Sequence, residues 1–187
     1  YVWNETKIDI ILTEENDQVK AKRILYFFSK LEIKGIGERT SIKFVENGLD
    51  TIGKVIDCKI KDFENISFGP VESKNLYNNI QQGIKNVELS KLMSATGIFG
   101  FGLGMKKIQL IIDKYGDVTK NKLSNQQISD VDGWSEKSAE QFLMYIEQFK
   151  TFLKDNKSII YTIEKAEKKG KYKGMKVVFS GTTGKDL

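Results

Sequence analysis

The sequence predicts a mainly α-helical chain of four helix, tight turn, helix units, with short β segments at its N-terminal and C-terminal ends. Three observations lead to this fold class. Small residues, mostly glycine, flank a large apolar residue at four places, and these places recur at an almost constant interval. Apolar residues on either side follow helical spacing. Self-similarity at a fixed period indicates a repeated supersecondary unit.

Four tripeptides define the repeat, and they begin 32 or 33 residues apart along the chain. Each has a small first residue and a large apolar centre. They are Gly35-Ile36-Gly37, Ser67-Phe68-Gly69, Gly100-Phe101-Gly102 and Gly133-Trp134-Ser135. A turn this tight needs φ above zero at one position, which glycine adopts without steric cost. We therefore expect each tripeptide to reverse the chain between two helices.

The flanking stretches predict the helices themselves. "AKRILYFFSKLE" precedes the first tripeptide and "LSKLMSATG" precedes the third, and both have helical periodicity. Leu76 and Ile80 follow the second tripeptide one helical turn apart, as do Phe142 and Ile146 after the fourth. We expect the central apolar residues to pack between the two helices of their own unit. For Trp134 the alternative is an exposed indole that stacks on a base.

Composition narrows the classes of function. The chain has 187 residues, of which 40% are hydrophobic and 29% charged, which is typical of a globular protein. No apolar run approaches the roughly 18 residues of a membrane helix, and the start has no signal-peptide pattern. We expect a cytoplasmic protein with no membrane partner, and a fragment of a longer polypeptide. The 30 basic residues exceed the 25 acidic ones, which suits an anionic partner.

The sequence contains no histidine and one cysteine, Cys58. A single thiol excludes an intramolecular disulfide and suits a reducing compartment. The usual zinc ligands are too few for a structural site, and Ser-His and Cys-His catalysis are excluded. We expect Cys58 to be a small core or surface residue rather than a nucleophile, because no base or cationic cluster is near it in sequence.

The glycine-rich turns could also hold the pyrophosphate of a dinucleotide cofactor. That fingerprint requires a strand before the glycines within a βαβ unit. Here helices precede the glycines, and the pattern occurs four times. The first helical turn after each tripeptide has free N–H groups that attract anions. A polymer with regularly spaced phosphates could use all four turns, so we favour a nucleic acid.

The pattern resembles tandem helix-hairpin-helix motifs, which bind the DNA backbone without reading its sequence. Four such motifs about 33 residues apart resemble the C-terminal half of the bacterial-type NAD-dependent DNA ligases. "YVWNETKIDIIL" is similar to the segment between the two cysteine pairs of the ligase zinc ribbon. "KYKGMKVVFSGTTGKDL" is similar to the opening strand and small-residue turn of the BRCT domain of such ligases.

The resemblance implies a domain order. The second cysteine pair of the zinc ribbon is missing, so the first segment is interpreted as a degenerate remnant ordered by packing or by the short strand "IDIIL". The predicted regions are a zinc-ribbon remnant at 1–22, a tandem helix-hairpin-helix DNA-binding domain at 23–160, a basic linker at 161–174, and the first strand of a truncated BRCT domain at 175–187.

The resemblance also implies a function. The family attaches AMP to the lysine of a Lys-x-Asp-Gly motif, which this sequence lacks. The chain is therefore expected to be non-catalytic and to need no cofactor, whereas the parent ligase would use NAD. The implied partners are double-stranded, nicked DNA and the adenylation and OB domains of the same polypeptide. Two alternatives are a stand-alone binder of branched DNA and a helical protein-interaction module.

The candidate DNA-binding residues are the turn residues with exposed N–H groups and the basic or hydroxyl residues at the start of the following helix. They are Gly35, Gly37, Arg39 and Lys43 in the first unit, Gly69, Ser73 and Lys74 in the second, Gly100, Gly102, Gly104, Lys106 and Lys107 in the third, and Gly133, Ser135, Lys137 and Ser138 in the fourth. The third unit, with its paired lysines, is the strongest candidate. For every glycine the alternative is turn geometry alone, and for every lysine or arginine it is a solvated surface charge.

Overall fold

The structure is a computed structural model, and it describes residues 2–3, 10–11, 16–100 and 102–163. The described part is mainly helical, as the sequence predicts. Phe101, the linker from residue 164 onward and the BRCT strand lie outside the described residues.

The described residues contain nine helices and four short strands. In chain order they are β1 (Val2–Trp3), β2 (Ile10–Ile11), α1 (Asp17–Lys30), α2 (Glu38–Glu46), α3 (Ile52–Asp57), α4 (Ile60–Asn65), α5 (Pro70–Gly83), β3 (Lys85–Glu88), α6 (Leu89–Ala95), α7 (Met105–Tyr115), α8 (Asn125–Ser129), α9 (Glu136–Asp155) and β4 (Ile160–Thr162).

Eight of the helices form four consecutive pairs, each pair packed across the turn that joins its members. The pairs are α1 with α2, α4 with α5, α6 with α7, and α8 with α9. Helix α1 shows why the local sequence folds in this way. The Asn16 side chain caps its start by accepting from the backbone N–H of Val19 at 2.9 Å. Ala21, Ile24 and Phe28, spaced by three and four residues, form its buried face.

Two aromatic clusters connect neighbouring helix pairs, one between the first and second pairs and one between the third and fourth. Phe44, Phe63 and Phe68 lie with ring centroids 5.7 to 6.3 Å apart, and they connect the first pair to the second. Phe99 stacks on Phe142 at 5.3 Å and connects the third pair to the fourth. All five rings are buried. Such ring pairs add to the hydrophobic stabilisation that their burial supplies.

Helix α1 joins the two halves of the molecule. Its Phe27 ring lies edge-on against Phe152 of α9, with centroids 5.9 Å apart. It also packs against α6. The first helix pair is thereby in contact with the helix that precedes the third turn and with the last of the described helices.

A short parallel sheet forms where the strand after α9 pairs with the strand between α5 and α6. Strand β4 pairs with β3, with Lys85 opposite Ile160, and the Ile160 N–H donates to the carbonyl of Ile84 at 3.0 Å. The sequence did not predict β3. Strand β4 crosses the predicted boundary between residues 160 and 161, so the packed helical region extends to Thr162.

At the N-terminal end, β1 and β2 form an antiparallel pair in which Val2 lies opposite Ile11 and Trp3 opposite Ile10. Strand β2 lies within the predicted strand "IDIIL". The N-terminal part of the expected β structure is therefore present in the described residues.

Candidate functional site

The four turns share one backbone course. Each has a residue with φ in the left-handed region, then a buried apolar residue, then an N-cap residue with extended backbone. The triplets are Gly35-Ile36-Gly37, Ser67-Phe68-Gly69, Gly102-Leu103-Gly104 and Gly133-Trp134-Ser135. In the second turn Ser67 has φ of 67°, where a residue with a side chain is strained by about 1–2 kcal/mol.

The third turn lies two residues later than predicted. Helix α7 begins at Met105, and Leu103, only 2% exposed, takes the place that the sequence assigned to Phe101. The stretch "GIFGFGLG" carries two overlapping small-large-small triplets, which share Gly102, so the pattern alone does not select one register. Measured on the residues with positive φ, the turns are 32, 35 and 31 residues apart, and the interval is less constant than predicted.

The central residues of the other three turns pack in the core, as predicted. Ile36, Phe68 and Trp134 are 5%, 7% and 8% exposed. The Trp134 indole N–H donates to the backbone carbonyl of Lys107 at 3.1 Å, and its ring lies edge-on to Phe142. The indole is therefore a tie between the third and fourth units and is not exposed for stacking on a base.

Three of the four second helices begin without a side-chain cap. The N-cap residues of α2, α5 and α7 are Gly37, Gly69 and Gly104, and none supplies a side-chain acceptor. The first N–H groups of a helix have no partner within the helix. At α9 the Ser135 hydroxyl accepts from the N–H of Ser138 at 3.3 Å, which completes a capping box. The first three turns thus offer N–H groups to an external acceptor, and the fourth caps itself.

The glycines at these three N-caps are not required by the fold. Their φ values of −99°, −65° and −75° suit any residue. A Cβ added to Gly37, Gly69 or Gly104 would meet no atom within 4 Å. Glycine is also used where a ligand approaches the backbone closely. The open space around these N-cap positions suits that use, whereas Gly35, Gly102 and Gly133 have positive φ and serve the turn itself.

Basic side chains follow the first and third turns. Arg39 is the exposed second residue of α2 and follows the acidic Glu38, while Lys106 is the exposed second residue of α7, with Lys107 beside it and no acidic residue in that first turn. We call the first and third turns the basic turns. A cation at the start of a helix opposes the helix dipole, so its presence there suits a bound anion better than it suits helix stability.

The second and fourth turns have a different charge. The second residue of α5 is Val71, 75% exposed, and Glu72 follows it, while Lys74 lies one turn further along. Acidic residues surround Lys137 in the fourth turn. They are Asp130, Asp132 and Glu136, all exposed. The fourth turn, which is acidic and caps itself, is therefore a poor anion site, and the second has no basic residue in the first turn of its helix.

Two of the predicted basic residues tie neighbouring units together. The Lys43 ammonium donates to the Ser67 carbonyl at 2.7 Å and lies 4.0 Å from the centroid of the Phe68 ring. The Lys107 ammonium lies 5.0 Å from the Trp134 ring centroid. In both cases a lysine on the second helix of one unit, the first or the third, lies over the central aromatic residue of the next turn. Such contacts stabilise the packing of neighbouring units.

Two of the predicted hydroxyl residues are buried. Ser73 is 0% exposed, and its hydroxyl lies 3.4 Å from the Phe68 carbonyl. Ser138 is 9% exposed, and its hydroxyl donates to the Ser135 carbonyl at 3.0 Å. These side chains close their own turns and face away from the surface. The expectation that they reach a phosphate is corrected for that reason.

The structure adds residues at the third turn that the sequence did not suggest. Lys30 and Tyr26 of α1 and Lys91 of α6 line a groove together with Gly104 and Lys106. No local pattern marks them, because they come from helices up to 80 residues away from the turn. A lysine at the end of a helix is also ordinary for helix stability, which hides any further role.

Cys58 is buried and is not a nucleophile of the ordinary kind. Burial, together with the nearby carboxylates of Asp62 and Asp57, raises the pKa of its thiol to about 11. The thiol donates to the Lys54 carbonyl at 3.2 Å. At neutral pH it is protonated, and the expectation of a small core residue is confirmed.

Among residues 16–100 and 102–163, no group of three or more metal-ligating side chains comes together. Within the same part of the chain, every helix is too short or too polar to span a bilayer.

Comparison with known proteins relates the whole chain to DNA ligases. It is 31% identical over 198 residues to the DNA ligase of Acanthamoeba polyphaga mimivirus, an alignment that includes 100% of this chain and 31% of that protein. It is 36% identical over 90 residues to the DNA ligase of Buchnera aphidicola subsp. Cinara cedri, covering 46% of this chain and 15% of that protein. No family model matches. The chain spans less than a third of the length of these relatives.

Proposed function

Because this chain is homologous along its whole length to part of a DNA ligase, we propose that it is the DNA-binding portion of an NAD-dependent DNA ligase and takes no part in the chemistry of ligation. In this proposal residues 23–160 are four tandem helix-hairpin-helix motifs that bind the backbone of nicked duplex DNA without reading its sequence. The other regions keep the assignments that the resemblance implies, and NAD binds to the adenylation domain of the parent polypeptide.

The observation that carries the proposal is the set of uncapped, glycine-flanked helix starts. Gly37, Gly69 and Gly104 give the first-turn N–H groups no side-chain cap, and among the described residues no atom lies within 4 Å of the position that a Cβ would take at each of them. A phosphate oxygen satisfies such N–H groups and is favoured by the helix dipole. Backbone phosphates are the same for every base sequence, so this mode of binding is independent of sequence.

The turns contribute unequally in this proposal. The basic turns combine open N–H groups with Arg39, Lys106 and Lys107, so they bind phosphate most strongly. The second turn offers N–H groups without a basic side chain, and one fewer of them, because Pro70 at the first position of α5 has no N–H. The fourth turn caps itself through Ser135 and is acidic, so its role is to pack against the third unit through Trp134.

The direct test is binding of this chain to labelled duplex DNA by fluorescence anisotropy at several salt concentrations. For about six neutralised phosphates, affinity should fall on the order of 10³-fold between 50 and 200 mM salt. Unrelated duplex sequences should bind equally, and nicked duplex should bind at least as tightly as intact duplex.

Other outcomes point to the alternative functions. A strong preference for a four-way-branched duplex over a nicked one would indicate a stand-alone junction binder. Absence of salt-dependent binding at 50 mM salt would contradict DNA binding and indicate a protein-interaction module.

A further inference from the structure

An open groove of about 580 Å³ lies between the first helix and the third turn. Tyr26 and Lys30 of α1 form one side, with Glu32 just beyond the end of that helix. Lys91 of α6 and the start of α7 form the other side. The contact between α1 and α6 holds the two sides together, so the groove is built by the packing of the first and third units.

Four lysines have atoms in the lining of this groove, namely Lys30, Lys91, Lys106 and Lys107, and the acidic residue in the lining is Glu32. The ammonium group of Lys107 lies 5.0 Å from the centroid of the Trp134 ring of the fourth turn. Like charges in one groove repel one another, and that cost falls when an anion enters. The Lys30 ammonium also lies 5.3 Å from the Tyr26 ring centroid, which places it at the wall of the groove rather than away from it.

Glu32 holds the position that an anion would take. Its carboxylate pairs with the Lys91 ammonium at 2.9 Å, but the Glu32 side chain is 81% exposed. An exposed ion pair of this kind contributes little, so a phosphate can displace it. The pair keeps Lys91 directed toward the groove while no other anion is present.

The groove also has two exposed apolar groups. Tyr26 is 44% exposed and Met105 is 39% exposed, and both belong to its lining. Sulfate-like or free phosphate ions have no apolar surface that would use these groups. A nucleic-acid backbone combines apolar surface with negative charge, since its deoxyribose offers apolar carbon atoms and its phosphate is an anion. The chemistry of the lining therefore fits a sugar–phosphate chain.

We propose that this groove is a second backbone-binding site, in which Lys30 and Lys91 contact phosphates of the same duplex that the third turn contacts, and Tyr26 and Met105 contact the adjoining sugars. The inference rests on the proposed function, since it requires that the chain bind DNA. It extends the interface from the turns and the starts of the second helices to the first helices of the first and third units, at the end of α1 and in α6.

The first test removes the two lysines that lie outside the turn. A Lys30→Ala, Lys91→Ala double variant should bind duplex roughly ten-fold more weakly at 100 mM salt, and the slope of log affinity against log salt should decrease by about two. The matched control is Lys61→Ala with Lys154→Ala, which changes net charge equally at exposed positions in α4 and near the end of α9. Neither control lysine lines the groove, so their removal should alter affinity less than about two-fold.

The second test is a gain of affinity, which misfolding cannot imitate. Glu32→Gln removes the competing carboxylate and releases Lys91, so duplex should bind about two- to five-fold more tightly at low salt. Glu46→Gln, at the exposed end of α2, is the charge-matched control and should change affinity less.

These results separate the inference from the proposed function. If the unaltered chain binds duplex with steep salt dependence but the Lys30, Lys91 variant behaves like its control, the groove is not a backbone site and the turns alone bind. If the unaltered chain does not bind duplex, the proposed function fails, and this inference fails with it.

Discussion

At the scale of single residues, the N-cap glycines separate folding from binding. Gly104 has negative φ and free space around it, whereas Gly133 has φ of 79° and serves the turn. These two positions are a matched pair, because the same substitution to alanine adds one methyl group at each. The first methyl group enters the proposed phosphate site, and the second strains the backbone.

Gly104→Ala should change the free energy of unfolding by less than about 0.5 kcal/mol, since the lost cap preference and the smaller unfolded-state entropy offset each other. It should weaken duplex binding by obstructing the approach to the backbone. Gly133→Ala should destabilise the chain by roughly 1 kcal/mol. Urea unfolding and fluorescence anisotropy measure both effects, and equal behaviour of the two variants would contradict the proposed role of Gly104.

Ser135 provides the complementary case. Ser135→Ala removes the hydroxyl that caps α9, so the free energy of unfolding should fall by about 1 kcal/mol. Duplex affinity should be unchanged, because the fourth turn does not hold phosphate in our proposal. A clear loss of affinity in a variant that is folded at the assay temperature would place the fourth turn in the interface.

At the scale of elements, α2, the second helix of the first unit, has two roles on different faces: a proposed contact with DNA and a contact with the next unit. Arg39 projects from the start of α2 and is exposed, while Lys43, one turn later, holds the next turn by its contacts with Ser67 and Phe68. Both residues are basic and lie four positions apart on one helix, so the sequence alone predicts the same role for each. Only the packing of α2 against the second turn distinguishes them.

Arg39→Ala should lower the slope of log affinity against log salt by about one and leave stability nearly unchanged. Lys43→Ala should cost about 1 kcal/mol of stability, because a hydrogen bond and a cation–π contact are lost, with a smaller effect on the slope. Thermal or urea unfolding measures the stability of each variant, and a salt series measures the slope. A loss of stability in the Arg39 variant, or a larger fall of the slope in the Lys43 variant, would contradict the prediction.

At the scale of the whole molecule, Asp117 closes the described fold by joining the loop after α7 to β4. It accepts hydrogen bonds from Thr119 and from the Tyr161 hydroxyl, the latter at 3.1 Å, and it pairs with Lys120 at 3.1 Å. Burial acts to raise the pKa of Asp117, but the hydrogen bonds from Thr119, Lys120 and Tyr161 outweigh it, and the pKa lies below its usual value of 3.8.

The sign of the pH dependence follows from that direction. A carboxyl group whose folded-state pKa is lowered contributes stability above its unfolded pKa and loses it as the pH falls through the folded value. Asp117→Asn should therefore destabilise the chain at neutral pH and flatten the loss of stability below about pH 4. Urea midpoints measured from pH 2 to pH 7 test this, and Asp132→Asn, at an exposed position before the fourth turn, is the charge-matched control. Parallel pH profiles for the Asp117 variant and the unaltered chain would contradict it.

The helices and their turns followed from local pattern, and so did the burial of Ile36, Phe68 and Trp134. Glycine conformation and helical periodicity act between residues close in the chain, so the sequence can show them. Local pattern did not fix the position of the third turn, because "GIFGFGLG" allows more than one register. The register depends on which apolar residue packs into the core. Leu103 fills that place.

Long-range packing decided the rest. The pairing of β3 with β4, the inward direction of Ser73, the inter-unit contacts of Lys43, and the meeting of Lys30 and Lys91 with the third turn join residues that are distant in sequence. No periodic signal records such contacts, since they arise only when helices pack and compete for the same space. Residue type and spacing could therefore suggest which turns bind an anion, and only the packed helices showed which turns are open, which are capped, and where a second basic surface forms.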